Sequence, residues 1–142
     1  MDKITNRKAY HDYFVLDDYV AGMQLQGSEV KSIRRGDCNI SEAYIVIKDG
    51  EMFARNIWIA QYKEATIQNH VESRERKLLL NKREINQIEK KLEKGTTIIP
   101  LEIFAIKNRL KLRIGICKGK KSHDKRSEIK KKDLERESRR GE

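Results

Sequence analysis

The sequence predicts a small, mainly β protein: an antiparallel barrel of five to seven short strands with two to three helices, ending in a basic C-terminal tail. Three observations carry this. Leu110, Leu112, Ile114 and Ile116 alternate with Lys111, Arg113, Gly115 and Cys117, the period of a strand with one face buried and one basic face in water. Asp49-Gly50 separates two alternating runs, a pairing suited to a tight hairpin because both central residues take positive φ. From Gly119 the composition changes: of the last 24 residues ten are Lys or Arg and six are Asp or Glu, and Ile129 and Leu134 are the only sizeable apolar side chains. Such a segment buries too little to offset its ordering entropy, so it should be disordered when free. We therefore expect a barrel domain over 1–118 and a tail over 119–142.

In chain order, Met1 to Ala9 reads as a polar basic arm with a frayed start. Tyr10 to Leu16 and Tyr19 to Leu25 read as two strands, or one long strand bent at Asp17-Asp18. A short helix follows from Gly27 to Gly36, with Ser28 as cap, Glu29 at its positive end, Arg34 and Arg35 at its negative end, and Gly36 as the stop. Val30 and Ile33 should face inward, leaving Glu29, Lys31, Arg34 and Arg35 in solvent as a polar platform. Tyr44 to Lys48 and Glu51 to Arg55 form the hairpin, and Asn56 to Ile59 extends its second strand, with Trp58 in the core or on a groove wall, and an exposed base-stacking platform as the alternative. Ala60 to Glu72 lacks a period and reads as a loop. Asn81-Lys82-Arg83-Glu84 is a capping-box pattern for a second helix of about thirteen residues, with Ile85, Ile88 and Leu92 as its apolar stripe and Gly95 as its end. Thr96 to Lys107 is a strand with an edge or bulge at Pro100, and Asn108-Arg109 turns the chain into the last strand.

Charge narrows the function. A chain of 142 residues carrying a net charge of +10 repels itself unless a polyanion neutralises it, so nucleic acid is the first partner expected and an anionic membrane surface the second. No stretch approaches the roughly 20 apolar residues of a membrane span, and the N-terminus lacks a signal-peptide run, which points to the cytoplasm. Cys38 and Cys117 lack the spacing of a zinc site and the number of a disulfide framework. Lys31, Arg34 and Arg35 are suited to phosphates, and a carboxylate such as Glu29 to base amino groups or ribose hydroxyls, with helix capping as its plain alternative. We expect no cofactor, no metal site and a monomer when free.

Four motifs then fall in a recognisable order: Asn6-Arg7-Lys8-Ala9, Gly27-Ser28-Glu29-Val30-Lys31-Ser32, Arg74 to Leu80, and Gly119-Lys120-Lys121-Ser122-His123-Asp124-Lys125-Arg126. In this order, over nearly the whole chain, they resemble the small protein B family, the SsrA-binding proteins of bacteria. The resemblance implies an oligonucleotide-binding-type barrel without catalytic activity. It would hold the tRNA-like domain of transfer-messenger RNA and deliver it to stalled ribosomes for trans-translation. It further implies that Glu29, Lys31 and the neighbourhood of Lys77 and Leu78 belong to the RNA-binding surface. Gly119, Lys120, Lys121 and His123 would open a tail that enters the empty messenger channel near the small-subunit decoding centre, with His123 stacking on a base there. Asp124, Lys125 and Arg126 would lead into a helix, formed on the ribosome, that includes Lys130 and Lys131. Val20, where relatives commonly carry Glu, and Asp37-Cys38 depart from the family pattern.

Two other classes fit parts of the sequence. A general single-stranded or ribosomal RNA binder would use the same barrel without preferring a tRNA-like fold. A metal-dependent nuclease would read Glu29-Val30-Lys31 as the Glu-x-Lys half of its site, with Asp17 and Asp18 as upstream ligands. Ser28 and Gly36 argue against the latter, because they place that half on a helix where such sites normally use strands.

Overall fold

The computed structural model describes residues 1–64 and 68–121. Its elements are β1 (Ile4–Thr5), α1 (Arg7–Asp12), β2 (Tyr13–Met23), α2 (Gly27–Arg34), β3 (Cys38–Asn39), β4 (Tyr44–Lys48), β5 (Glu51–Arg55), β6 (Trp58–Ile59), β7 (Arg76–Leu79), α3 (Lys82–Lys91), β8 (Thr96–Ile106) and β9 (Arg109–Gly119). Strands β8, β4, β5, β7, β2 and β9 pair in that order, and β9 returns to β8, closing an antiparallel ring of six. The ring is unevenly sewn. β9 lies along β2 and β8 for most of its length, whereas β4 meets β8 only at Ile45 and Ile98.

The inward half of the alternation expected of the last strand holds: Leu112, Ile114 and Ile116 lie in the core, with Ile33, Met52, Ile57, Leu78 and Ile103. Each such side chain stabilises the fold by about 1.5–3 kcal/mol when fully buried. The hairpin also forms as read, with Asp49 at φ 53° and Gly50 at φ 75°. Helix α3 starts at the Asn81 cap, whose side chain accepts from the Glu84 amide, and buries Ile85 and Ile88. It ends at Lys91, earlier than expected, because Leu92 turns to an extended conformation, and Gly95 belongs to the following turn.

The N-terminal arm is ordered, contrary to the expected fray. Asn6 is buried and caps α1, accepting from the Ala9 amide at 3.0 Å while its own amide donates to the carbonyls of Pro100 (2.8 Å) and Ile40 (3.2 Å). Tyr10 to Asp12 consequently close a helix instead of opening a strand. Helix α1 covers Ala9, Ile99, Leu101 and Cys117, a small second core outside the ring. Cys117 is therefore buried, and Gly115 is buried against Leu101 and Cys117, although alternation assigned both to water.

The bend in β2 lies one residue before the aspartates: the register with β9 shifts between Val15 and Asp17, so Leu16 is the bulge. Pro100 likewise marks a register shift, between Pro100 and Glu102. Asn56, at φ 63°, breaks the second hairpin strand, and Trp58–Ile59 pairs instead with Cys38–Asn39. Trp58 is 44% exposed beside Asn39, Asn56 and Ser73, on a groove wall and not in the core.

Gly115 is the tightest point of the ring. A Cβ there would sit 2.7 Å from Leu101 Cδ1 and 3.3 Å from the Cys117 sulfur. Gly115→Ala should lower stability by about 1–3 kcal/mol in urea unfolding, whereas Gly27→Ala, with nothing within 4 Å of the added carbon, should leave it nearly unchanged. Equal effects of the two substitutions would contradict the close β8–β9 packing.

Candidate RNA-binding surface

Helix α2 forms where expected, but its inner face is more polar than its pattern suggests. Gln26 is the N-cap, and Ser28 lies within the helix, its hydroxyl paired with His70 Nδ1 at 2.8 Å. His70 Nε2 lies 2.9 Å from the Ile59 carbonyl, which only accepts, so Nε2 carries a proton. The inner face consists of Glu29, Ser32 and Ile33, while Val30 is half-buried.

Glu29 is therefore not in solvent. It is fully buried, and its two carboxylate oxygens meet four hydrogen bonds. Oε1 accepts from the Gln26 amide at 2.8 Å and Arg74 Nη2 at 2.5 Å; Oε2 accepts from Arg74 Nε at 3.1 Å and Arg76 Nε at 2.5 Å. Arg76 is buried as completely as Glu29, and its remaining nitrogens donate to the carbonyls of Ile57 (2.5 Å), Glu72 (2.9 Å) and Val71 (3.4 Å). Burial alone would raise the Glu29 pKa, but Arg74, the Gln26 amide and Arg76 outweigh it and hold the carboxyl below its ordinary value. The arginines of the Arg74–Leu80 motif are thus the partners of the motif on α2, a long-range pairing that neither stretch discloses alone.

The outer face of α2 matches the sequence reading. Lys31, Arg34 and Arg35 are exposed. Arg34 Nη2 donates to the Asn108 carbonyl at 2.7 Å, in the β8–β9 turn where Lys107 and Asn108 both take positive φ. Arg35 and Lys31 lie over the Tyr62 ring.

Of the second pair of predicted site residues, Lys77 is on the surface and paired with Glu51 at 3.1 Å, but Leu78 is in the core. Strand alternation turns its neighbour outward: Leu79 is 52% exposed. Leu79 lies on the floor of a groove of about 610 Å³ between β2, β7, the β4–β5 hairpin and the start of α3. Val20 shares the floor, and Lys77, Lys82 and Lys111 stand around it. A second hollow of about 270 Å³, lined by Met23, Leu25, Val30 and Arg109, shares Gly22, Leu79 and Lys111 with the first. Together they form one apolar channel edged with cations that runs toward α2. Gly22 keeps it open to Leu79, since a Cβ at that position would lie 3.2 Å from the Leu79 Cβ. Among the described residues, Lys82, Arg109 and Lys111 have no carboxylate partner within 4.0 Å. Such a surface suits a phosphate chain with bases or sugars against the floor. Val20, Leu79, Lys82, Arg109 and Lys111, which line this candidate surface, are not singled out by the sequence pattern as site residues, although alternation through Leu78-Leu79-Leu80 carries the signal for Leu79.

At the far end of β9, Gly119 pairs with Tyr13, and Lys120 folds back onto the body. Its amide donates to the Asp12 carbonyl at 2.8 Å, and its ammonium donates to the Tyr10 carbonyl at 3.2 Å and lies over the Phe14 ring. Lys121 is exposed. His123, Asp124, Lys125, Arg126, Lys130 and Lys131 lie outside the described residues.

The nuclease arrangement is not assembled. Asp17 is paired with Lys91 and Asp18 with Arg113, and Glu29 points inward while Lys31 points out. Among the described residues no three His, Cys, Asp or Glu side chains converge as metal ligands, and no helix is long and apolar enough to cross a membrane. Burial raises the Cys38 thiol to about 12 and the Cys117 thiol to about 11, which leaves both unreactive.

Glu29→Gln should cost about 3–5 kcal/mol of unfolding free energy at neutral pH, because it leaves the buried Arg76 guanidinium, and the partly buried one of Arg74, without their anion. Since the folded carboxyl titrates below its ordinary value of 4.5, its contribution is complete above that pH and fades as acid carries the protein down through the lower folded value. The stability gap between wild type and Glu29→Gln should therefore narrow on acidification from pH 5 to pH 3; parallel curves would contradict the buried network.

Comparison with known proteins agrees with this geometry. The family model described as SmpB protein matches residues 3–141. The chain is 46% identical to an SsrA-binding protein of Sulfurihydrogenibium sp. over 134 residues, covering 94% of this chain and 88% of the relative. It is 48% identical to one of Acholeplasma laidlawii over 133 residues, covering 93% and 89%. A chain in a solved structure described as "tmRNA-SmpB: a journey to the center of the bacterial ribosome" superposes with a TM-score of 0.72 at 38% identity, covering 86% of this chain and 87% of that one. With barrel, helices and basic extension all inside the match, the chain belongs to the SmpB family of SsrA-binding proteins.

Proposed function

We propose that this protein binds the tRNA-like domain of transfer-messenger RNA and delivers it to stalled ribosomes for trans-translation, as a non-catalytic cytoplasmic factor that is monomeric when free. The observation that carries this reading is family membership from residue 3 to residue 141, which takes in both the barrel and the basic tail. The relatives' description as SsrA-binding proteins supports the RNA, and the tmRNA-SmpB structure on the bacterial ribosome supports the destination.

Within this reading the barrel and the tail divide the work. The channel and the outer face of α2 take the RNA: Lys31, Arg34, Arg35, Lys77, Lys82, Arg109 and Lys111 bind phosphates, and Val20 and Leu79 offer an apolar floor to bases or sugars. Glu29 and Leu78 act from beneath, Glu29 by fixing Arg74 and Arg76 and Leu78 by packing β7. The tail over 119–142 engages the ribosome through Lys120, Lys121, His123, Asp124, Lys125, Arg126, Lys130 and Lys131. It becomes helical there, near the decoding centre.

Two experiments test the division. Lys111→Ala should weaken binding of a tRNA-like-domain transcript and lower the slope of log K against log salt by about 1, without changing thermal stability. Truncation after Lys121, which keeps the Lys120 contacts with the body, should leave that binding nearly intact and abolish rescue in a reconstituted translation assay. Equal loss of both activities on truncation would contradict the division. A wild-type protein that bound unstructured RNA of equal charge as tightly as the tRNA-like transcript would favour a general RNA binder.

A further inference from the structure

Among the exposed cations of α2 and its C-cap, Arg35, the C-cap itself, is the most completely engaged. Its Nη1 donates to both oxygens of Glu64, at 3.2 and 3.1 Å, and its Nη2 donates to Glu64 Oε1 at 3.2 Å and to the Tyr62 hydroxyl at 3.3 Å. The guanidinium lies 4.6 Å from the centre of the Tyr62 ring, and Lys31, one turn earlier on the helix, reaches the same ring at 5.3 Å. A guanidinium fork closed on two oxygens of one anion and backed by an aromatic plane is a geometry by which arginine recognises a phosphate. Here a carboxylate of the chain itself occupies the place of the two phosphate oxygens.

The two loop residues are held differently. Tyr62 is anchored through its backbone: its amide donates to Asn69 Oδ1 at 3.1 Å, and Asn69 Nδ2 donates back to the Tyr62 carbonyl at 2.9 Å. The next residue, His70, is buried and fixed on α2 through Ser28. Among the described residues Glu64 has less support: besides Arg35, its carboxylate meets only its own backbone amide. Its side chain is 55% exposed, and among the described residues its carboxylate forms an ion pair with Arg35 and no other. The ring is a fixed platform; the carboxylate is a replaceable occupant.

We infer that the Arg35 fork on its Tyr62 platform is a subsite for an RNA backbone phosphate, and that Glu64 fills it in the RNA-free protein as an internal stand-in that the RNA displaces. This rests on the RNA-binding reading above and assigns one contact within it. An exposed carboxylate–guanidinium pair is weak, so its displacement lowers the affinity for RNA by no more than about fivefold. The stand-in keeps Arg35 aligned by Tyr62 in a ligand-ready position.

The test is a double-mutant cycle on the full chain, with the tRNA-like-domain transcript as probe at fixed salt. Glu64→Gln should bind about two- to fivefold tighter than wild type, and Arg35→Ala should bind more weakly. In the Arg35→Ala background the gain from Glu64→Gln should largely disappear, because there is no fork left to release. Tyr62→Leu, which removes the platform, should weaken binding while leaving the melting temperature within a few degrees of wild type. Unchanged or weaker binding by Glu64→Gln would overturn the inference. So would a gain that persists undiminished without Arg35, which would mark a general charge effect. Should the wild type show no preference for the tRNA-like transcript, the functional reading would fall separately, and the same cycle on single-stranded RNA would still decide whether Glu64 competes with phosphate.

Discussion

The buried carboxylate of Glu29 is the constraint on which the rest of the site depends. A lone ionised group in that position would cost several kcal/mol to desolvate, and the fold answers with two guanidinium groups and a backbone amide. Through Arg76 the same carboxylate ties α2 to the carbonyls of Ile57, Val71 and Glu72, so one helix, the end of the hairpin and the segment before β7 become a single rigid unit. No apolar side chain would impose that geometry, because dispersion contacts tolerate sliding and a planar fork does not.

What the network positions is the outer surface. Fixing the inner face of α2 fixes Lys31, Arg34 and Arg35 on the opposite one, and fixing the entry to β7 sets which leucine of Leu78-Leu79-Leu80 faces the core. The channel beside Leu79 is the result: an apolar floor exists on the surface because Gly22 leaves space for it and lysines surround it. A contiguous exposed apolar floor marks an interaction site, and a nucleotide chain would supply both a flat apolar face for it and negative charge for the cations at its edge.

The β elements with clean alternation or a strong turn were legible in the sequence, as were the α3 cap and the Pro100 bulge, since each is decided by residues adjacent in the chain. What was not legible depends on partners far apart. Asn6 reads as part of a frayed arm until its contacts at Ile40 and Pro100 are known. Glu29 reads as a solvent-facing helix residue because its period is compatible with either face, and only Arg74 and Arg76, more than forty positions away, make burial favourable. The family resemblance assigns Glu29 and Leu78 to a surface, whereas both lie buried beneath the one their neighbours form. Cys117 broke the alternation because it packs with Ala9 of α1, Ile99 and Leu101 outside the ring, and Gly115 because Leu101 and Cys117 lie against it.

Glu29 therefore shapes the candidate surface from beneath, buried against Arg74 and Arg76. The most direct measurement is hydrogen exchange of the arginine side chains by NMR, in the free protein and with the tRNA-like transcript bound. The Arg76 Nε–H should exchange far more slowly than that of an exposed arginine and should remain protected in the complex, as expected of a buried donor to an undisturbed carboxylate. Rapid Arg76 exchange in the free protein, or loss of its protection when RNA binds, would show that Glu29 is accessible and would contradict this role.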